Sequence, residues 1–479
     1  MLPTNPLTGR GFIGRFAAFL KIRVNVTPRK TAPGPEGAAI FAALEHFRID
    51  RSPGDGGVRS LEWEISDAQT PERRGQLDEI CGELDELFAK WDLCGATVHF
   101  ERDGSSAGTA PTSGRAPAPD HPATETQKWT PEGAKLRDLD GSGAHAALPK
   151  VLAETTSARK KNSPDREQPP DEIATQRIAV VKQTADATLV RVRAEEGEKF
   201  VAIANPVPGR FCSLNFNRGA LIAALEAARS LVCAGANPMA MSLGFALSSR
   251  ATIENFLELR ETVRGLTDAA KFFRVPVARI DFSFRNKSAE HASDPIVTVA
   301  MAGAIQTEQH ALIQSARVGD KLMLLGGTPT EIGGSLFLAV VHRVKTGDAP
   351  ATDLSSEKKL HDALIALIRA GIISSALQVA EGGLMATVCT ILFANDPALG
   401  ARLDLTSLGG SRADALLFGE SQGRVIVAVA AGRVGTVLSE AHMRGVSAVL
   451  IGEVTDEATL GLKTRSLATE WPIAELWRI

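Results

Sequence analysis

The sequence predicts an α+β protein of more than one folding unit, and three observations carry that expectation. At 479 residues the chain is long enough for two to four domains of roughly 100–200 residues each. Segments that alternate apolar and polar residues recur beside segments whose apolar residues fall three or four apart, the signatures of half-buried strands and amphipathic helices. A stretch rich in Gly, Ser, Pro and Ala, from about Arg102 to Asp171, separates a short first block from a long second one. Hydrophobic residues make up 44% of the chain and charged residues 23%, a balance that supports packed cores.

The same composition excludes several function classes. A formal net charge of −3 offers no bulk positive field for nucleic acid. No run of eighteen apolar residues is present, so no membrane-spanning helix is expected. Cys81, Cys94, Cys212, Cys233 and Cys389 lack any metal-type spacing and read as reduced thiols of a cytoplasmic protein. No H-E-x-x-H pair or Walker loop occurs, and the histidines do not cluster, so nucleophilic catalysis within this chain is not expected.

Residues 1–20 form an N-terminal arm. Arg10, Arg15 and Lys21 precede the first acidic residue, Glu36, and Phe12, Phe16 and Phe19 fall among them, which suits either a targeting segment or an ordinary arm. Residues 21–100 read as a small α/β unit. KIRVNV and VRSLEWEI alternate as strands, AAIFAALEHF carries Ile40, Leu44 and Phe47 on one helical face, Pro71 to Trp91 forms an amphipathic helix, and ATVHFE closes the unit. Residues 101–175 are assigned as a disordered linker, with a short helix near Trp129 and a solvated basic cluster at Lys160 and Lys161. Strands and helices then alternate through two further units, 176–310 (β-rich with helices) and 311–479 (α+β).

Three segments carry the residues suited to chemistry. In KLMLLGGTPTEIGGSLFLAVV a strand ends in glycine, and Gly333, Gly334 and Ser335 open the next element. Backbone N–H groups without side-chain cover can approach a phosphate there, or the segment is a plain strand and turn. In ALEAARSLVCAGANP, Glu226 and Ser230 stand four apart and share a helix face, with Glu226 at the border of the apolar stripe. Its carboxylate suits a hard cation such as Mg²⁺ or is a solvated surface group. In ALQVAEGGLMATV, Glu381 precedes Gly382 and Gly383 at a helix start, as a cap or as a second metal ligand facing Glu226.

Taken together these segments resemble the synthetase subunit of the phosphoribosylformylglycinamidine synthase family. LLGGTPTEIGGSLFL is similar to a signature of that family. DATLVRV, GRFCSLNFNRGA, EAARSLVCAGANPMA, PVARIDFSFRN, VTVAMAGAI, VAEGGL and LFGESQGRVIVAV follow in the family's order, over about Arg177 to Val429. The likeness is to the second of two tandem halves, each a pair of domains shared with aminoimidazole ribonucleotide (AIR) synthetase. Residues 21–100 more loosely resemble the small PurS-like accessory subunit of the same system. The implied fold is a PurS-like α/β sandwich followed by AIR-synthetase-like N- and C-domains.

The resemblance implies an ATP-dependent amidation in de novo purine biosynthesis. ATP activates an amide oxygen of formylglycinamide ribonucleotide, and ammonia displaces phosphate. It further implies ATP or ADP bound through Gly333, Gly334, Ser335, Gly382 and Gly383, and Mg²⁺ held by Glu226, Ser230 and Glu381, where Ser230 replaces the usual Asn or Asp. The implied partners are a glutaminase subunit, a separate synthetase half and a small-molecule ribonucleotide, without nucleic acid or membrane. Several polar family positions are replaced. IANPVPG lacks an Asp near Ala204, MSLGFALSS lacks an Asp and two asparagines, and Leu377-Gln378-Val379-Ala380 stands for a more polar segment. The chain also lacks tyrosine: Phe337 and Arg285 stand where the family often or usually has one. The expectation is a component incomplete by itself; a non-catalytic structural or nucleotide-holding subunit and a stand-alone ATP-dependent enzyme are the competing readings.

Overall fold

The computed structural model describes residues 20–28, 59–65, 70–91, 96–102, 141–162, 178–183, 186–194, 197–206, 209–248, 250–285, 296–312, 315–328, 331–409 and 412–477. The expected arm, the helix around Ile40 and Phe47, and the helix near Trp129 lie outside these residues.

In the first block, Leu20–Pro28 (β1) pairs antiparallel with both Arg59–Ile65 (β2) and Ala96–Arg102 (β3). Pro71–Ala89 (α1) is started by Thr70, whose hydroxyl accepts from the Arg73 N–H, with Pro71 in the first turn, where a missing N–H costs nothing. Its buried residues Leu77, Ile80, Cys81, Leu84 and Phe88 follow the helical period.

The first departure from the sequence reading comes next. Residues 141–162, expected within a linker, form a 22-residue helix, Gly141–Asn162 (α2). Ala144, Ala147, Leu148, Val151 and Leu152 are buried against the last unit. The period was present but carried by small residues and interrupted by Pro149, so it read as low complexity. Burying Leu148 and Val151 contributes about 1.5–3 kcal/mol each.

The middle unit runs Ile178–Gln183 (β4), Thr188–Ala194 (β5), Gly197–Ala204 (β6), Gly209–Leu214 (α3), Phe216–Cys233 (α4), Asn237–Ser248 (β7), Arg250–Ala251 (β8), Ile253–Phe273 (α5), Val277–Arg285 (β9) and Ile296–Ile305 (β10). Its six-stranded sheet has the order β4-β5-β6-β10-β7-β9, with α4 and α5 packed together over it. The first block is continuous with this unit. β8 adds in parallel to β2, Trp91 Nε1 donates to Thr267 Oγ1 at 2.7 Å, and Phe88, Phe100, Phe245, Phe256 and Phe282 form one aromatic cluster.

The last unit contains Lys321–Gly326 (β11), Leu336–Val341 (α6), Leu354–Arg369 (α7), Ser375–Gln378 (β12), Gly383–Phe393 (α8), Gly400–Asp404 (β13), Ala413–Phe418 (α9), Arg424–Val429 (β14), Val434–Met443 (α10), Ala448–Thr455 (β15), Thr459–Lys463 (β16), Ala468–Pro472 (β17) and Ile473–Trp477 (α11). Its seven strands take the order β12-β14-β11-β15-β13-β16-β17. Because side chains alternate along a strand, β11 sends Leu322 and Leu324 into a core with α2, α6 and α8. Met323 and Leu325 go to the opposite face, with α7 and with Val232 and Cys233 from the end of α4. This shared packing sets α4 against β12 and brings α3 over the turns at Gly334 and Glu381.

Candidate functional site

A set of buried charged and polar side chains converges where α3 and α4 meet the last unit. Near the surface, Arg210 on α3 reaches across the joint. Its Nη1 donates to Glu381 Oε1 at 2.5 Å, its Nη2 to Glu420 Oε2 at 3.0 Å, and its Nε to the Gly334 carbonyl at 3.2 Å. Burial opposes its charge, but Glu420 and Glu381 outweigh that and raise its pKa. Glu420, buried between α9 and β14, accepts through one oxygen from the Leu336 N–H at 2.6 Å and the Gly382 N–H at 3.0 Å. Its burial raises its pKa against the pull of Arg210.

The two glycine-rich turns expected at the site are therefore brought together, bridged by one carboxylate. Gly334 has φ +65°, and a Cβ there would lie 2.6 Å from Leu214 Cδ1, so α3 sits directly over the turn. Gly382 is likewise overlain by Val151 and Thr155 of α2. Ser335 caps α6, its hydroxyl accepting from the Leu338 N–H at 3.4 Å.

Deeper in the joint lies a second network. Fully buried Arg229 donates to Glu357 from Nε at 2.7 Å and from Nη2 at 3.1 Å, to Gln378 Oε1 at 3.1 Å and to Gln422 Oε1 at 3.0 Å. His361 Nε2 lies 3.0 Å from Glu357 Oε1. Burial disfavours the Glu357 carboxylate, yet Arg229 and His361 outweigh it and bring its pKa down to about 2. Glu226 is not at the border of the apolar stripe, as the sequence suggested, but buried, because nearly the whole circumference of α4 is covered. Gln422 Nε2 donates to it at 3.2 Å, and burial pushes its pKa up to about 7 despite Arg229. Ser230 Oγ accepts from Gln378 Nε2 at 2.6 Å. Arg424, also buried, donates to the carbonyls of Ser421 and Gly419 at 3.0 and 2.6 Å, and burial brings its pKa down to about 10.

Glu381 is close enough that its charge helps raise the pKa of Glu226, but each is bound to a different partner, Glu226 to Gln422 and Glu381 to Arg210. Among the described residues no group of three or more His, Cys, Asp or Glu side chains is placed to hold a metal ion. Sequence reasoning missed Arg210, Arg229, Glu357, Glu420 and Gln422. One local signal was available: Glu226 and Arg229 are the only charges in ALIAALEAARSLVC, and a charged pair inside so apolar a helix has to find buried partners.

Comparison with known proteins agrees with this architecture. The family described as "AIR synthase related protein, N-terminal domain" matches residues 184–305, and its C-terminal domain matches 317–465, together more than half of the chain. A phosphoribosylformylglycinamidine synthase subunit PurL from Deinococcus radiodurans is 31% identical over 424 residues, covering 81% of this chain and 55% of the relative. One from Moorella thermoacetica is 37% identical over 268 residues, covering 56% and 36%. The chain thus spans between about a third and just over half of these relatives. T. maritima PurL complexed with FGAR has the same fold, with a TM-score of 0.55 at 18% identity, covering 70% of this chain and 53% of that one. PurLQS from Thermotoga maritima gives 0.51 at 18% identity, covering 70% and 51%. Among the described residues no helix is long and apolar enough to cross a membrane.

Proposed function

We propose that this chain, which belongs to the AIR synthase related family, is a component of a phosphoribosylformylglycinamidine synthase of de novo purine biosynthesis. It supplies one two-domain synthetase half to an assembly with a glutaminase subunit and a separate synthetase half. The observation that carries this reading is the convergence of the Gly333-Gly334-Ser335 and Glu381-Gly382-Gly383 turns on one joint of the family's fold. ATP or ADP is proposed to lie there. Of the five N–H donors of Arg210, three have protein partners, and its side chain is 22% exposed, so the guanidinium can meet a phosphate from the solvent side.

Mg²⁺ on Glu226, Ser230 and Glu381 does not fit the residues as arranged. The Ser230 hydroxyl accepts from Gln378, Glu226 is held by Gln422, and Glu381 is paired with a guanidinium. No step is therefore routed through the metal. The chain's own contribution is to hold the joint and present positive charge, and the amidation belongs to the assembly. The buried network around Arg229, bonded to its own neighbours, favours as a second reading a subunit that holds a nucleotide without turning it over.

The test is reconstitution. The purified chain with formylglycinamide ribonucleotide, ATP and ammonium is expected to give no amidine product. Adding the synthetase half and glutaminase from the same source is expected to give product above those two alone. Product from the isolated chain would refute the proposal.

A further inference from the structure

We infer that Arg210 takes the place of the divalent cation at this joint, so that a nucleoside diphosphate bound here is held by guanidinium charge and needs no Mg²⁺. This rests on the nucleotide reading above and goes beyond it.

The first argument is the ligand set. Arg210 is bound by two carboxylates, Glu381 and Glu420, and one main-chain carbonyl, that of Gly334. Carboxylate and carbonyl oxygens are what a hard cation recruits, and here a planar five-donor group occupies them. The second is charge. The joint gathers Glu226, Glu357, Glu381 and Glu420 against Arg210, Arg229 and Arg424, so most of its carboxylate charge is already matched by guanidinium. A divalent ion entering there would meet little unmatched negative charge. To reach Glu381 and Glu420 it would have to expel Arg210 and leave a cation without its partners. The third is that the other two residues expected to ligate are already engaged, Ser230 Oγ accepting from Gln378 and the Glu226 carboxylate from Gln422.

Of the three arginines, Arg229 and Arg424 are fully enclosed, whereas Arg210 is part-exposed, with three of its five donors taken. It can hold both carboxylates on one side and a phosphate on the other. The cation expected between acid and phosphate is thus supplied covalently, from a helix of the opposite unit.

The test is calorimetric titration of the full chain with ADP, in excess MgCl₂ and separately in excess EDTA. The dissociation constant is expected to agree within about twofold between the two buffers. Arg210→Met is expected to weaken binding by about 10–100-fold in both, the range of a charge-assisted contact. Arg210→Lys, which keeps the charge, guards against a folding defect and should recover part of the affinity. Binding at least tenfold weaker in EDTA overturns the inference alone. Equal affinity of a folded Arg210→Met overturns it too. No ADP binding in either buffer overturns the nucleotide reading with it.

Discussion

The middle unit is held on its two flanks by opposite kinds of chemistry. Toward the first block the joint is mainly aromatic and apolar: Phe88, Phe100, Phe245, Phe256 and Phe282 interlock, with a buried hydrogen bond between Trp91 and Thr267 and, at the part-exposed rim, ion pairs from Arg260 and Arg264 to Glu83. Toward the last unit it is buried and charged, with Arg229 and Arg210 each gripping groups more than a hundred residues away in the chain. An apolar joint is graded, since each lost contact costs in proportion to the area and cavity it leaves. A buried ionic joint is closer to all-or-none, because removing one partner strands another charge out of water.

The largest expected effect follows from that contrast. Arg229→Ala should destabilise the protein by about 3–5 kcal/mol in urea unfolding, through the stranded Glu357. Arg229→Met combined with Glu357→Leu should cost clearly less than the sum of the two single changes. Additive losses there would erase the distinction between the joints.

Next in size is a dependence on pH confined to the charged joint. Glu226 has an ordinary value of 4.5 and a folded value of about 7, so between these the folded state keeps a proton the unfolded chain releases. Its contribution is fully present below pH 4.5 and is lost as pH rises through 7, by about 3 kcal/mol at 1.4 kcal/mol per pH unit. Glu357 acts in the opposite sense: its contribution is present above 4.5 and is lost as pH falls through about 2. Glu226→Gln should flatten the upper window in unfolding measured across pH and leave the lower one. A slope between pH 4.5 and 7 unchanged by that substitution would exclude Glu226 as its source.

The smallest effect belongs to the aromatic joint. Trp91→Phe keeps most of the ring and loses the bond to Thr267, an expected cost of about 0.5–1.5 kcal/mol in the same urea assay. A loss as large as that of Arg229→Ala would show that the apolar joint also depends on a single polar contact.

Much of the fold was legible. The strand alternation of KIRVNV, the Pro71 start of α1, the helix from Ile253 and the Leu384–Phe393 segment of α8 follow from local period and capping, which neighbours reinforce rather than override. α2 was hidden because small residues and Pro149 weaken its period, and its stability comes from the unit it covers. The glycine turns, Glu226 and Glu381 could be picked out from the sequence and the fold brings them to one joint, but the burial of Glu226 and the arginines facing it could not, since their partners are distant in sequence.

The sequence by itself determined the alternation of strands and helices, the small residues at the turns and the family's order of blocks, because each depends on neighbours within a few positions. Only the tertiary structure decided that Glu226 is buried, that Arg210 lies between Glu381 and Glu420, and that one carboxylate joins two turns. Burial and charge pairing depend on which surfaces meet, and a periodic pattern names the face to be covered without naming what covers it.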